Sequence, residues 1–464
     1  MRWREAWRVA PAVAPLALML ACAAPEAPPN VVLVVIDNLR ADRLGAYGHT
    51  RPTSPVFDAW AQRGELFEHV QAASSWTKPS VASLFSSLEP EVHGAVSFGR
   101  HLRADVVTLA ELFAAAGYAT VGVTGNFVHV NEDTGLARGF EGFRILAPLV
   151  DGEGEDVLLT AHDPKGEDVR LRAPRGDEVN REVKALLPEH GGAPLFLYVH
   201  YMEPHAGWDP PAESLDAVLG GAPHPEPMTS EEVVEQTRAG GPVAPELRRR
   251  MLDLYDGEIA AADAALGALL DDLAERGWLE SAVVAVVSDH GEEFGEHGGL
   301  FHARTLFGES LWVPLLIADT RPGTPRGRRS EPVDLLDVAP TLLTRAGIPV
   351  PVAMQGRDLT QTVAAREQVA RLHCDPVFEA HLGPRSHAAA WLYWPWKAVV
   401  DRDGTTRWYD LSNDPAEQSP FLEPPPAVPA RIAAQLSPGP IDCTAAGELS
   451  PESREALRAL GYTD

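Results

Sequence analysis

The chain is 464 residues long, 45% apolar and 23% charged, with a formal net charge of -27. That length supports a large buried core, and the composition is that of a globular protein rather than a disordered one. The acidic excess excludes nucleic acid or an anionic membrane surface as a non-specific partner. A small anionic substrate stays open, because a local cation can override the global field.

Arg2, Arg4 and Arg8 precede an apolar stretch from Val9 to Ala21. It is too short to span a bilayer and suits the core of a signal peptide. Leu18-Met19-Leu20-Ala21-Cys22 resembles a bacterial lipobox, which would make Cys22 the lipidated first residue of the mature chain. Residues 1–22 are therefore read as an export signal. The protein is expected in the bacterial envelope or periplasm, touching membrane only through a lipid on Cys22. An ordinary cleaved signal is the alternative. Residues 23–29 form an Ala/Pro tether. Cys374 and Cys443 are the remaining cysteines, and an oxidising compartment permits their pairing without requiring it.

Val31 to Ile36 is a valine-rich run of the kind buried on both faces of a sheet, and Asp37 and Asn38 follow at its C-terminal end. Thr77-Lys78-Pro79-Ser80 reads as a loop entering a helix, with Pro79 in the first turn and Thr77 just before backbone N–H groups that favour an anion. Glu89 to Gly94 closes that helix. Residues 106–117 predict a helix, and Tyr118 to Thr124 a strand that delivers Asn126 and His129. From 147 to 180 the chain is polar and Gly-rich, a surface excursion. Leu195 to Tyr201 is a further buried strand, ending in Met202-Glu203-Pro204-His205. Residues 206–245 are Pro/Gly-rich and read as a long loop over the site.

Helical periodicity runs through Leu252, Ile259, Leu266 and Leu273. The run Ser281 to Val287 then repeats the design of the first strand, ending in Ser288-Asp289-His290-Gly291. Two buried strands that each bring an acid to one sheet edge make a good metal site, since ligands gather at the carboxyl ends of strands. A helix cap is the plainer role for such an acid. Trp76 and Trp312 are read as core. Strand Val313 to Ile317 and helix Leu335 to Ala346 complete a large α/β sandwich over residues 30–350. Residues 351–464, with short strands around Trp396 and Trp408, read as a small α+β subdomain.

Taken in order, these motifs resemble the sulfatase family of the alkaline-phosphatase superfamily. They are the Asp37 strand, Thr77-x-Pro79-Ser80 with His93-Gly94, Pro204-His205, Ser288-Asp289-His290-Gly291 with Glu296-His297-Gly298, Asp337 to Thr341, and Tyr409 to Pro415. The resemblance implies a large mixed sheet sandwiched by helices. It also implies one divalent metal, calcium first with zinc or manganese as alternatives, held by Asp37, Asn38, Asp289 and His290 with Thr77 completing the shell. Asn38 replaces a second Asp. His205 matches a histidine that contacts the transferred group or protonates the leaving oxygen. His302 and Asn126 stand where lysines are usual, His129 matches a companion histidine, and Lys78 is a candidate compensating cation. His93 is read as packing the nucleophile helix. His297 is left open between a supporting residue and a ligand.

The family nucleophile is a Cys or Ser oxidised to formylglycine. Thr77 stands there, and Val81 replaces the motif's Arg. Oxidising a secondary alcohol gives a ketone, so Thr77 is expected unmodified, acting as a metal-activated hydroxyl. Three functions are compatible with this: a hydrolase of sulfate or phosphate esters on a small molecule or glycan, a phosphoethanolamine-type phosphotransferase, and a catalytically silent binding protein.

Overall fold

The computed structural model describes residues 27–146, 149–150, 159–162, 168–188, 192–363, 367–373, 375 and 387–428. Cys22, Cys374 and Cys443, and with them the lipobox and the cysteine pairing, lie outside the described residues. No described helix is long and apolar enough to cross a membrane.

An eight-stranded mixed sheet carries the molecule, in the order Gly327–Arg329, Glu65–Phe67, Leu315–Asp319, Ala282–Val287, Asn30–Ile36, Leu195–Tyr201, Ala119–Thr124, Gly142–Ile145. The strands from Ala282–Val287 to Gly142–Ile145 run parallel, while Leu315–Asp319 is antiparallel to Ala282–Val287. Val31 to Val35 and Val283 to Val287 are fully buried, as a strand covered by helices on both faces requires. The two acid-bearing strands lie side by side with Val35 opposite Val287, so Asp37 and Asp289 leave the sheet at the same level. On the other flank Val35 faces His200, and His200 faces Thr124. Register alone brings four strand ends to one edge.

The helix Pro245–Glu275 follows the predicted periodicity at the buried Ile259, Leu266 and Leu273, while Leu252 is only half-buried and Leu254 takes the core position. Residues 206–245 differ from the expected loop, since they contain the helices Ala212–Leu219 and Ser230–Ala239. The second is announced by a reciprocal cap: Thr229 Oγ1 accepts from Glu232 N–H at 3.1 Å, and the Glu232 carboxylate accepts from Thr229 N–H at 2.9 Å. The Pro/Gly content lies in the connections and masked that signal. The excursion after residue 147 holds a separate three-stranded sheet and leads into the helix Gly176–Leu186. Trp312 also departs from expectation. It is 36% exposed, edge-on to Tyr47, with its indole N–H donating to the Glu68 carbonyl.

A four-stranded antiparallel sheet, Gln368–Arg371, His387–Tyr393, Trp396–Asp401 and Thr406–Asp410, forms the C-terminal subdomain. One face packs around Trp391, Trp408 and Val400. The later landmarks are structural: Asp337 pairs with Arg357 at 2.6 Å, and Asp410 accepts from Ser412 and Asn413 in a turn.

Candidate active site

Asp37, Asp289 and His290 sit at the carboxyl edge of the sheet, fully buried, with ligand-capable atoms all within 4.8 Å of one another. Asp289 and His290 are aimed by their own chain turn. His290 N–H donates to Asp289 Oδ1 at 2.9 Å, and His290 Nδ1 lies 2.9 Å from the Gly291 carbonyl. A carbonyl only accepts, so Nδ1 carries the hydrogen and Nε2 presents its lone pair. That Nε2 is 3.4 Å from Asp289 Oδ2, 3.7 Å from Asp37 Oδ1 and 3.3 Å from Thr77 Oγ1. Asn38 adopts φ of 58°, a left-handed turn that Asn tolerates better than most residues. Its Nδ2 donates to Glu292 Oε2 at 2.7 Å, which turns Oδ1 the other way.

Three oxygens here are buried without any hydrogen-bond partner: Asp37 Oδ1, Asn38 Oδ1 and Asp289 Oδ2. An unsatisfied buried acceptor costs about 1–3 kcal/mol, more when charged. Two of them, Asp37 Oδ1 and Asp289 Oδ2, converge beside an imidazole lone pair and a hydroxyl, which fits a cation. The electrostatics agree. Burial raises Asp289, and the nearby Asp37 charge raises it further. Burial acts the same way on Asp37, but its hydrogen bond to His200 and the histidines around it hold that carboxyl below the usual range. Two carboxyls pushed apart in this way lack the positive charge that would hold both ionised.

Thr77 is the first residue of the helix Thr77–Ser86, with extended Trp76 as its cap, rather than lying before it. Its side chain is buried. Lys78 is also buried, its ammonium held by the Phe98 and Ser97 carbonyls at 2.8 and 3.2 Å, and burial lowers its pKa to about 8. Burial, with the Lys78 charge behind it, keeps His129 neutral, and His129 Nδ1 has no partner. His205 is likewise lowered by burial, its Nδ1 lying 3.2 Å from the Ala206 carbonyl. His302 is 5.1 Å from the His205 ring and 4.7 Å from the His290 ring, with Nδ1 3.2 Å from Asn38 Nδ2 and 3.3 Å from both Glu292 carboxylate oxygens.

Thr77, Asn38, Asn126, His205 and His302 thus lie around Asp37, Asp289 and His290, whereas the Lys78 ammonium is held at the Ser97 and Phe98 carbonyls. His93 packs on the helix Thr77–Ser86, as its position suggested, with Nε2 3.1 Å from Ser83 Oγ. His297 belongs to the supporting structure. It stacks on Phe307, with Nδ1 2.7 Å from Glu309 and Nε2 3.0 Å from the Glu417 carbonyl, so both ring nitrogens are engaged. Three residues carried no expectation. Glu292, fully buried, ties Asn38 to His302. His200 lies 3.2 Å from Asp37 Oδ2, and Tyr198 lies behind it. A Tyr and a His two apart on one strand face, inside an otherwise apolar run, are the signal that was available.

A mixed, mostly parallel sheet thus carries a buried cluster of ligand-capable atoms at its carboxyl edge, beside a hydroxyl on a helix N-terminus. Residues 29–348 match the family Sulfatase, and residues 295–436 match N-sulphoglucosamine sulphohydrolase, C-terminal. The chain belongs to the sulfatase family. It is 26% identical to an arylsulfatase of Clostridium perfringens, covering 84% of this chain and 89% of that protein. It is 25% identical to a choline-sulfatase of Rhizobium meliloti, covering 86% and 83%. Among solved structures it is similar to BT4656 in complex with its substrate D-glucosamine-2-N,6-O-disulfate, at a TM-score of 0.67 and 18% identity over 94% of this chain and 99% of that one. It is also similar to a phosphonate monoester hydrolase from Silicibacter pomeroyi, at a TM-score of 0.66 and 20% identity over 88% and 94%.

Proposed function

We propose that this protein is an exported, divalent-metal-dependent hydrolase of sulfate or phosphate esters in which Thr77 supplies the attacking oxygen. The observation that carries the reading is the pair of partnerless carboxylate oxygens, on Asp37 and Asp289, gathered beside His290 Nε2 and Thr77 Oγ1, with the partnerless Asn38 amide oxygen on the residue after Asp37. A divalent cation held there would lower the pKa of a nearby hydroxyl and offset the charge on the ester oxygens. Calcium prefers an all-oxygen shell, whereas the His290 imidazole suits manganese or zinc. This donor set moves the preference toward the latter two.

The chain's own groups then divide the work. Thr77 Oγ1 gives its proton to His205 Nε2, a ring that burial keeps neutral, and attacks sulfur or phosphorus as the bond to the leaving alcohol breaks. His302, backed by the Glu292 carboxylate at its Nδ1, carries a proton to the leaving oxygen. Water then attacks the same sulfur or phosphorus and passes its proton to the now neutral His302. The bond to Thr77 Oγ1 breaks as His205 returns the first proton to that oxygen. Lys78 keeps one N–H beyond the two given to carbonyls, available for an anionic oxygen. Asn38, His302 and Asn126 replace charged residues usual in the family, so fixed charge at this site is reduced.

Family membership and the arylsulfatase relative favour sulfate. A threonine alcohol lacks the collapsing hydrate of formylglycine, and the phosphonate monoester hydrolase neighbour favours a phosphorus ester as the second reading. The relatives' substrates also make a small molecule or a glycan the expected ester. Cys22 is proposed to hold the enzyme at the bacterial envelope. Metal-stripped protein reconstituted with manganese, zinc or calcium is assayed on matched aryl sulfate, aryl phosphate monoester and aryl phosphodiester. Turnover of one class that is lost in Thr77→Ala establishes the mechanism and names the ester. Turnover that survives the substitution removes Thr77 from it.

A further inference from the structure

We infer that His200, braced by Tyr198, is a positioning residue that selects which oxygen of Asp37 faces the metal. The inference rests on the metal-centre reading of Asp37, Asn38, Asp289 and His290. His200 comes from the neighbouring strand Leu195–Tyr201, where its backbone lies opposite Val35, two residues before Asp37. Its side chain is fully buried, with Nε2 3.2 Å from Asp37 Oδ2 and Nδ1 2.8 Å from the Tyr198 hydroxyl. A carboxylate oxygen only accepts, so Nε2 carries the hydrogen and Nδ1 is left as a lone pair. The Tyr198 O–H then donates to Nδ1, and the two bonds form one directed chain from Tyr198 through His200 to Asp37.

Asn126 Nδ2 donates to the same Oδ2 at 2.7 Å. Oδ2 is therefore held by two donors while Oδ1 has none, and only Oδ1 is free to act as a ligand. The brace is rigid: the Tyr198 ring stands edge-on to Phe85 at 4.8 Å and lies 6.0 Å from Phe140. With His200 gone, one donor would remain on Oδ2, and the carboxylate could turn about its last bond. Groups that orient a metal ligand through its second atom typically alter metal affinity by about 10- to 100-fold.

The test is calorimetric titration of manganese and zinc into metal-stripped wild type, His200→Leu, His200→Gln and Tyr198→Phe, with thermal unfolding in EDTA as the folding control. His200→Leu is expected to bind about 10- to 100-fold more weakly. His200→Gln, whose amide Nε2 can take the imidazole Nε2 position and donate to Oδ2, is expected to recover most of that loss. Tyr198→Phe, which frees Nδ1 to take the hydrogen from Nε2, is expected to lose about threefold or more. A merely structural role would not separate Leu from Gln at equal metal-free stability. Wild-type binding matched by His200→Leu overturns the inference. If His200→Leu does not fold, Tyr198→Phe decides, and affinity equal to wild type overturns it. A wild type that binds neither metal removes the metal-centre reading itself.

Discussion

Replacing Asp289 with Asn should stabilise the metal-free protein and abolish its response to metal. Asp289 is fully buried, and its ligand-capable oxygen lies within 4.8 Å of that of Asp37. Two full charges at that separation repel by about 3 kcal/mol at an effective dielectric of about 20. Burial and the Asp37 charge both raise the Asp289 carboxyl, the direction an uncompensated pair imposes. A net gain of about 1–3 kcal/mol is therefore expected for Asp289→Asn near neutral pH. The substitution keeps Oδ1 as acceptor for the His290 and Asn38 N–H groups, and places a donor where Oδ2 had no partner. Saturating metal reverses the order. Wild type should gain about 4 kcal/mol at a metal concentration a thousandfold above its Kd. The variant, short of an anionic ligand, should gain little at the same concentration. Urea unfolding in EDTA and in excess manganese or zinc reads both arms. An Asn variant no more stable than wild type without metal, or one that responds to metal like wild type, refutes the argument that like charge and missing partners mark a cation site.

Other perturbations read other parts of the molecule. Thr77→Ala should lower kcat/KM by at least about a thousandfold while metal content, measured by elemental analysis, stays near stoichiometric. Glu292→Gln should weaken proton delivery through His302, lowering kcat more than KM and displacing one limb of the pH–rate profile; an unchanged profile would detach Glu292 from the reaction. Glu258 is buried, and burial followed by the Glu203 charge pushes it up to about 8 from an ordinary 4.5. A raised carboxyl contributes stability below its unfolded value and loses it as pH rises through the folded one. The stability of wild type relative to Glu258→Gln should therefore fall by roughly 2–4 kcal/mol between pH 4.5 and pH 8 and level off above that. A constant difference across that range would contradict the assignment. Cys22→Ala should move the protein from membrane to soluble fractions, and retention on membranes would end the lipoprotein proposal.

Much of this site could be read along the chain because its parts are local. A valine run ending in Asp, whether at Asp37 or Asp289, announces a buried strand and its functional end together. Thr77-x-Pro79-Ser80 marks a helix entry through proline's fixed φ and missing N–H. The helix at Ser230 was equally legible from Thr229 and Glu232, and was hidden only by the proline and glycine around it. Trp312 shows the limit of residue type as a guide, since its exposure depends on neighbours that composition does not name.

The sequence by itself determined the class of fold, the family, and the candidate ligands Asp37, Asn38, Asp289 and His290, because each is set by a short apolar run and the polar residues at its end. Tertiary structure alone decided how those groups face one another. Asn38 keeps its oxygen without a partner while Glu292, 254 positions away, takes its amide N–H. Asp37 offers one oxygen because His200 and Asn126, on two other strand ends, hold the second. His297 is excluded because Glu309 and Glu417 occupy both of its nitrogens. Each of these outcomes depends on strands and loops paired across 89 to 254 positions, or on a packed turn beside them. Hydrogen bonds are directional, so which atom is left free is a property of the assembled partners and not of any residue's place in the chain.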